Sequence, residues 1–151
     1  MIAVECYADT RLVSIMGAKT ASIRHAGGKG QVLDVLRKGR AEVGLVDEDP
    51  GSIEYPEMRN YRLMEKLEGI RLLRHTGTAD KRVIVICPRL EDWMLERART
   101  SGVDPSEFGL AVNPRALHAS GRYDRHPHFP RFIEKLLEVD TEFKKLRDWI
   151  R

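Results

Sequence analysis

The sequence predicts an α/β protein, with a mainly parallel sheet of about four strands flanked by helices and a helical C-terminal extension. Two observations carry this. Short apolar runs rich in β-branched residues, such as Ile2-Ala3-Val4 and Val83-Ile84-Val85-Ile86, alternate with stretches whose apolar residues recur at helical spacing. After Glu91 the strand-like runs stop, and the remaining apolar residues follow a helical period. Strands alternating with helices imply parallel strands with helices on the sheet faces. A length of 151 residues suits one domain, with a core over 1–90 and the extension over 91–151.

Each element has a local reason. Ile2-Ala3-Val4 is a short buried strand ending at Glu5. Leu12, Val13, Ile15 and Met16 make a helix with Asp9 or Thr10 as N-cap and Gly17 as stop. A second strand is expected over Thr20–His25. The Gly27-Gly28-Lys29-Gly30 turn then opens a helix carrying Val32, Leu33, Val35 and Leu36, which Gly39 ends. Glu42–Val46 is the third strand, broken by Pro50 and Gly51. Met58–Leu67 reads as helical, Ile70–Arg74 as a strand, and Arg82–Cys87 as the most strand-like run, closed by Pro88. Trp93, Met94, Leu95 and Ala98 line a helix. Asp104-Pro105 and Asn113-Pro114 each open a short helical turn. Residues 121–130 form a loop. Phe132, Ile133, Leu136 and Leu137, then Phe143, Leu146, Trp149 and Ile150, mark two amphipathic helices.

Composition narrows the class of function. Hydrophobic residues make up 42% of the chain, enough for a core, and no apolar run approaches the roughly 20 residues of a membrane span. Two cysteines, Cys6 and Cys87, make neither a disulfide framework nor a zinc quartet, and the N-terminus lacks a signal-peptide pattern. Both point to a reducing cytoplasm. The net charge of +3 is evenly spread, with no basic tail or acidic block. Charge alone does not announce a nucleic-acid binder.

The informative residues are acidic and stand where strands end. In parallel α/β sheets ligands bind at the C-terminal ends of the strands. Glu5 follows the first strand, and Asp47 and Asp49 follow the third. On extended backbone, residues two apart point the same way. Carboxylates without sulfur or imidazole partners favour a hard cation such as Mg²⁺. The alternative is an acidic turn, with Asp-Pro-Gly chosen for its backbone chemistry. In the Gly27–Gly30 turn, backbone N–H groups offer themselves to a phosphate and Lys29 offers a charge, although glycines also serve plain turns.

Val4-Glu5-Cys6-Tyr7-Ala8-Asp9, followed by Leu45-Val46-Asp47-Glu48-Asp49, resembles the Toprim domain of topoisomerases, bacterial primases, M5-type ribonucleases and OLD-family nucleases. In that family a hydrophobic strand ends in Glu, usually as Glu-Gly-x-x-Asp, and a later one ends in Asp-x-Asp. Ala26–Gly30 matches its Gly-rich approach to the second helix, and the resemblance covers residues 1–90. It implies Asp47 and Asp49 as ligands of Mg²⁺ or Mn²⁺. Glu5 becomes a ligand or general acid/base, and Asp9 a supporting acid. Cys6 stands where the family has Gly, adding a side chain at a tight turn. The segment Pro88–Leu95 resembles one in small Toprim-like proteins, where an acid at a helix start faces the same site. That adds Glu91.

The resemblance implies a metal-dependent nuclease, or a nuclease subunit, acting on DNA or RNA. Arg115, Arg122 and Arg125 would track phosphates, with Tyr123 and Phe129 available for base stacking. The contrasting expectation is an inactive binding module, or one needing a protein partner such as an ATPase, which Cys6 favours. The helical tail offers a homodimer surface. An Asp-x-Asp phosphatase ranks last, because Pro50 follows the motif and two β-α units precede it.

Overall fold

The computed structural model describes residues 1–151. Six strands form one mixed sheet: β1 Ile2–Val4, β2 Ile23–His25, β3 Val43–Asp47, β4 Tyr61–Lys66, β5 Ile70–His75 and β6 Arg82–Ile86. Their spatial order is β2-β1-β3-β6-β5-β4. The pairs β1–β2, β1–β3 and β3–β6 are parallel, whereas β5 runs antiparallel to both β6 and β4. The sheet is therefore six-stranded and mixed: four strands, β2-β1-β3-β6, are parallel, and the antiparallel β5 and β4 extend it at one edge.

The extra strand is β4, in a segment expected to be helical over Met58–Leu67. Residues Pro56–Asn60 form a 3₁₀ turn, and Tyr61–Lys66 pairs with β5. A bulge between Leu63 and Glu65 breaks the two-residue alternation. Four of the six β4 side chains are exposed at the sheet edge, so burial does not impose a strand pattern on the sequence either.

Six helices complete the chain: α1 Tyr7–Ile15, α2 Lys29–Arg37, α3 Leu90–Thr100, α4 Pro114–Ala119, α5 Phe129–Val139 and α6 Thr141–Ile150. None is long and apolar enough to cross a membrane. Helix α1 starts two residues before the expected cap. Cys6 is its N-cap, and the Asp9 carboxylate in the first turn accepts the Cys6 N–H. Strand β2 is shorter than the expected Thr20–His25, because Thr20–Ser22 is a 3₁₀ turn.

Alternation along the strands divides the core. Ile2, Val4, Val43, Leu45, Ile84 and Ile86 face the larger cluster, with buried residues of α1, α3, α5 and α6. Ala3, Val46, Val83 and Val85 face a smaller cluster roofed by α2. A side chain at Gly44 would stand 2.8 Å from Leu36 and 2.9 Å from Val32, so glycine lets α2 lie directly on β3. The larger cluster runs from Ile2 to Ile150. The C-terminal helices thus pack into the same core as the first strand.

Candidate active site

Strands β1, β3 and β6 end side by side. Val4 pairs with Leu45, and Asp47 with Ile86. This register brings Glu5 to the end of β3, where its Oε2 accepts the Asp47 N–H at 2.6 Å. Burial pushes the Glu5 carboxyl above its ordinary range. The Asp47 N–H and the nearby Lys29 charge pull it down, and Asp49 pushes it up.

Asp9 comes from the first turn of α1 and is only 3% exposed. Its Oδ2 accepts the N–H and the thiol of Cys6, both at 3.2 Å. Burial and the charges of Glu5 and Glu91 still outweigh these bonds and raise its pKa to about 7. Asp47 is raised further, to about 8, by burial and then by Asp9, Glu5 and Glu91, with the Leu90 amide partly offsetting. Its Oδ1 is buried without any hydrogen-bond partner. Glu91, in the first turn of α3, accepts a hydrogen bond from the Tyr123 hydroxyl at 2.9 Å. Tyr123 is buried, and burial together with Glu91 lifts its phenol well above the usual range.

Asp47 therefore carries a buried, unpartnered oxygen while its carboxyl feels the charges of Glu5, Asp9 and Glu91, from the end of β1, from α1 and from α3. Of the residues expected at the site, Glu5, Asp9, Asp47 and Glu91 share one electrostatic neighbourhood. Asp49 sits at its margin. The strand ends at Asp47, and Asp49 has φ +50°, so the extended backbone that would align the two side chains stops short. Arg89 forms an ion pair with Asp49 at 3.0 Å. Lys29 donates through Nζ to the Glu48 carbonyl at 2.8 Å.

The glycine usual in the family's first motif is not required by the backbone here. Cys6 has φ −136° and ψ 176°, an extended conformation open to any residue. The residue is exposed at the surface, but its thiol turns inward to donate to Asp9, and the loss of water there with the Asp9 charge pushes it well above its ordinary range.

The three arginines behave differently. Arg122 forms two 2.9 Å hydrogen bonds to Asp124 and lies over the Tyr7 ring, 4.1 Å from its centroid. Arg115 is exposed on α4 and lines a cleft of about 560 Å³ with Arg89, Glu91 and His118. Arg125 is exposed. The aromatic residues expected to stack on bases are not available for it, since Tyr123 is 7% and Phe129 0% exposed. Both are drawn into the core by the packing of α5, which periodicity in a loop cannot show. The exposed ring near the acids is Tyr7, stacked on His25 with centroids 4.3 Å apart and planes 9° apart. Nothing in the spacing of Tyr7 and His25 signals that contact. It arises from the pairing of β1 with β2.

No three His, Cys, Asp or Glu side chains converge as a ready-made metal cluster. The chemistry of the donors nevertheless fits a hard divalent cation. All are carboxylate oxygens, the buried Oδ1 lacks a partner, and burial together with the neighbouring acids raises the pKa of Asp9 to about 7 and of Asp47 to about 8. No protein-family model, curated protein or solved structure matches the chain.

Proposed function

We propose that the chain is a Mg²⁺- or Mn²⁺-dependent phosphodiester hydrolase, a nuclease or nuclease subunit of Toprim-like type, acting on nucleic acid. The observation that carries this is the buried, unpartnered Oδ1 of Asp47 among Glu5, Asp9 and Glu91. The order of the motif supports the family. A glutamate follows β1 and an Asp-x-Asp begins at the last residue of β3, within the parallel strands β2-β1-β3-β6.

In this reading Asp47 is the principal ligand, with Glu5 and Asp49 completing the oxygen set. A bound cation supplies the positive charge that stabilises the phosphoryl transition state. Glu5 is oriented by the Asp47 N–H. Asp9, with a pKa near 7, can hold or release a proton at neutral pH. Lys29 and Arg122 stand at the margin as charges for the phosphate backbone, and Arg115 extends that margin along the cleft beside Glu91. The place of work is the cytoplasm, in keeping with two free cysteines.

A second reading, a binding module that acts only with a partner such as an ATPase, is favoured by the Asp49–Arg89 ion pair. That contact occupies one expected ligand and would have to open. A homodimer through the C-terminal helices is a further form of partner. Cleavage of end-labelled DNA and RNA with Mg²⁺ or Mn²⁺ separates the readings. The hydrolase reading expects metal-dependent products from the wild type and none from Asp47→Asn. No cleavage by the wild type with either metal overturns it and leaves the binding module.

A further inference from the structure

Beside the acids, three side chains from three separate parts of the chain form a continuous stack. Arg122, from the loop before α5, lies 4.1 Å from the centroid of the Tyr7 ring. Tyr7, the first residue of α1, stacks on His25 with a 4.3 Å centroid separation. A cation and a parallel ring at those separations cannot share one face of Tyr7, so they sandwich it. Asp124 anchors the arginine end with two hydrogen bonds. The other end is His25, which is exposed and pairs with Val4 across the sheet. His25 therefore stands one strand and one residue away from Glu5. Tyr7 itself is 53% exposed.

We propose that the Arg122–Tyr7–His25 stack is a platform for an unpaired nucleobase, and that the acidic site acts on single-stranded nucleic acid. The proposal rests on the reading of that site as one acting on nucleic acid. Stacking on an aromatic platform is open to any base whose faces are free, which makes it tolerant of sequence. In a duplex the bases are already stacked on one another, and their faces cannot reach a platform on a protein surface. Holding Tyr7 between an anchored guanidinium and an imidazole restricts its rotamers before a ligand arrives, so less ordering is needed on binding. Arg122 also brings a positive charge for the strand's phosphates. The position next to Glu5 would put a nucleotide bound at His25 beside the carboxylates, with Lys29 four residues further along the chain.

Fluorescence anisotropy in EDTA reads binding without metal-dependent turnover. The probes are a labelled 12-nucleotide oligo-dT, the matching oligo-U, and the dT strand annealed to oligo-dA. The wild type is expected to bind either single strand more tightly than the duplex. Tyr7→Ala and His25→Ala should each weaken single-strand binding about tenfold, within the range for one lost stack, and change duplex binding less than twofold. Tyr7→Phe should retain binding, and thermal melts establish that each variant folds. The fluorescence of a 2-aminopurine placed within the single strand should change on binding to the wild type and not to His25→Ala, because His25 carries the face that the sandwich leaves open. Equal weakening for single strand and duplex, unchanged binding in both alanine variants, or no single-strand binding by the wild type overturns the proposal. Metal-dependent cleavage of duplex that is indifferent to Tyr7 would overturn it while leaving the hydrolase reading intact. Tyr7-dependent single-strand binding without any cleavage would overturn the hydrolase reading and leave only the base platform standing.

Discussion

Asp47 is pulled two ways. Its backbone N–H orients Glu5, while its own carboxylate is buried beside Asp9, Glu5 and Glu91 with one oxygen unpartnered. Such a charge destabilises the metal-free protein. Asp47→Asn is therefore expected to raise metal-free stability at pH 8 by roughly 1–3 kcal/mol, the cost of a buried polar group without a partner, and to abolish any Mg²⁺-induced rise in Tm. The sign of the pH dependence follows from the raised pKa values of about 7 for Asp9 and about 8 for Asp47, against ordinary values of 3.8. Between about pH 4 and pH 8 the folded state binds more protons than the unfolded chain, so their contribution to stability falls as pH rises. Thermal melts across that range should show a steeper decline for the wild type than for Asp47→Asn. Identical slopes would mean that Asp47 is already charged and satisfied.

At the scale of elements, the join between α3 and the last two helices rests on a buried ionic network. Arg97 of α3 bonds Asp140 at 2.9 Å and Glu142 at 2.6 Å, and Ser101 adds a 2.8 Å bond to Asp140. Asp140 also caps α6 by accepting the Phe143 N–H, and Glu142 accepts the Gly69 N–H and the indole N–H of Trp93. Burial pushes the Asp140 carboxyl up, but the bonds from Arg97, Ser101 and Phe143 outweigh it and leave it below the ordinary range. Its stabilising contribution is present above about pH 4 and is lost as pH falls through the lowered value. Arg97→Ala leaves two buried carboxylates without their cation and should cost about 3–5 kcal/mol, measured by urea unfolding at pH 7. A loss under 1 kcal/mol would show that water replaces the guanidinium.

At the scale of the molecule, residues 91–151 belong to the core and to the site. Phe129, Phe132, Ile133, Phe143 and Leu146 pack with Val4, Leu12 and Leu45, and Tyr123 holds Glu91. A chain ending at Leu90 is expected to lose cooperative thermal unfolding, because it exposes the sheet face that these helices cover. A sharp melt of the 1–90 fragment by circular dichroism would contradict this. The sheet itself was partly legible. The β-branched runs at Ile2–Val4, Val43–Val46 and Val83–Ile86 and the helical periods of α2, α5 and α6 stand out because burial on a regular face imposes a pattern. Strand β4 does not, because it is an edge strand with a bulge and mostly exposed side chains.

The α/β class and the acidic positions at the strand ends are legible locally, since strand period, helix period and the residues where a strand stops depend on neighbours in the chain. Tertiary structure alone decided which acids meet. Strand register brings Glu5 to the Asp47 amide, and helix packing buries Asp9 and brings Glu91 near. The left-handed turn at Asp49, with Arg89 close by, holds that carboxylate at the margin. It also decided that Tyr123 is a buried support for Glu91 and that Tyr7 is an exposed ring beside the site. Burial and the proximity of charge depend on residues far apart in the chain, and no spacing within one segment encodes them.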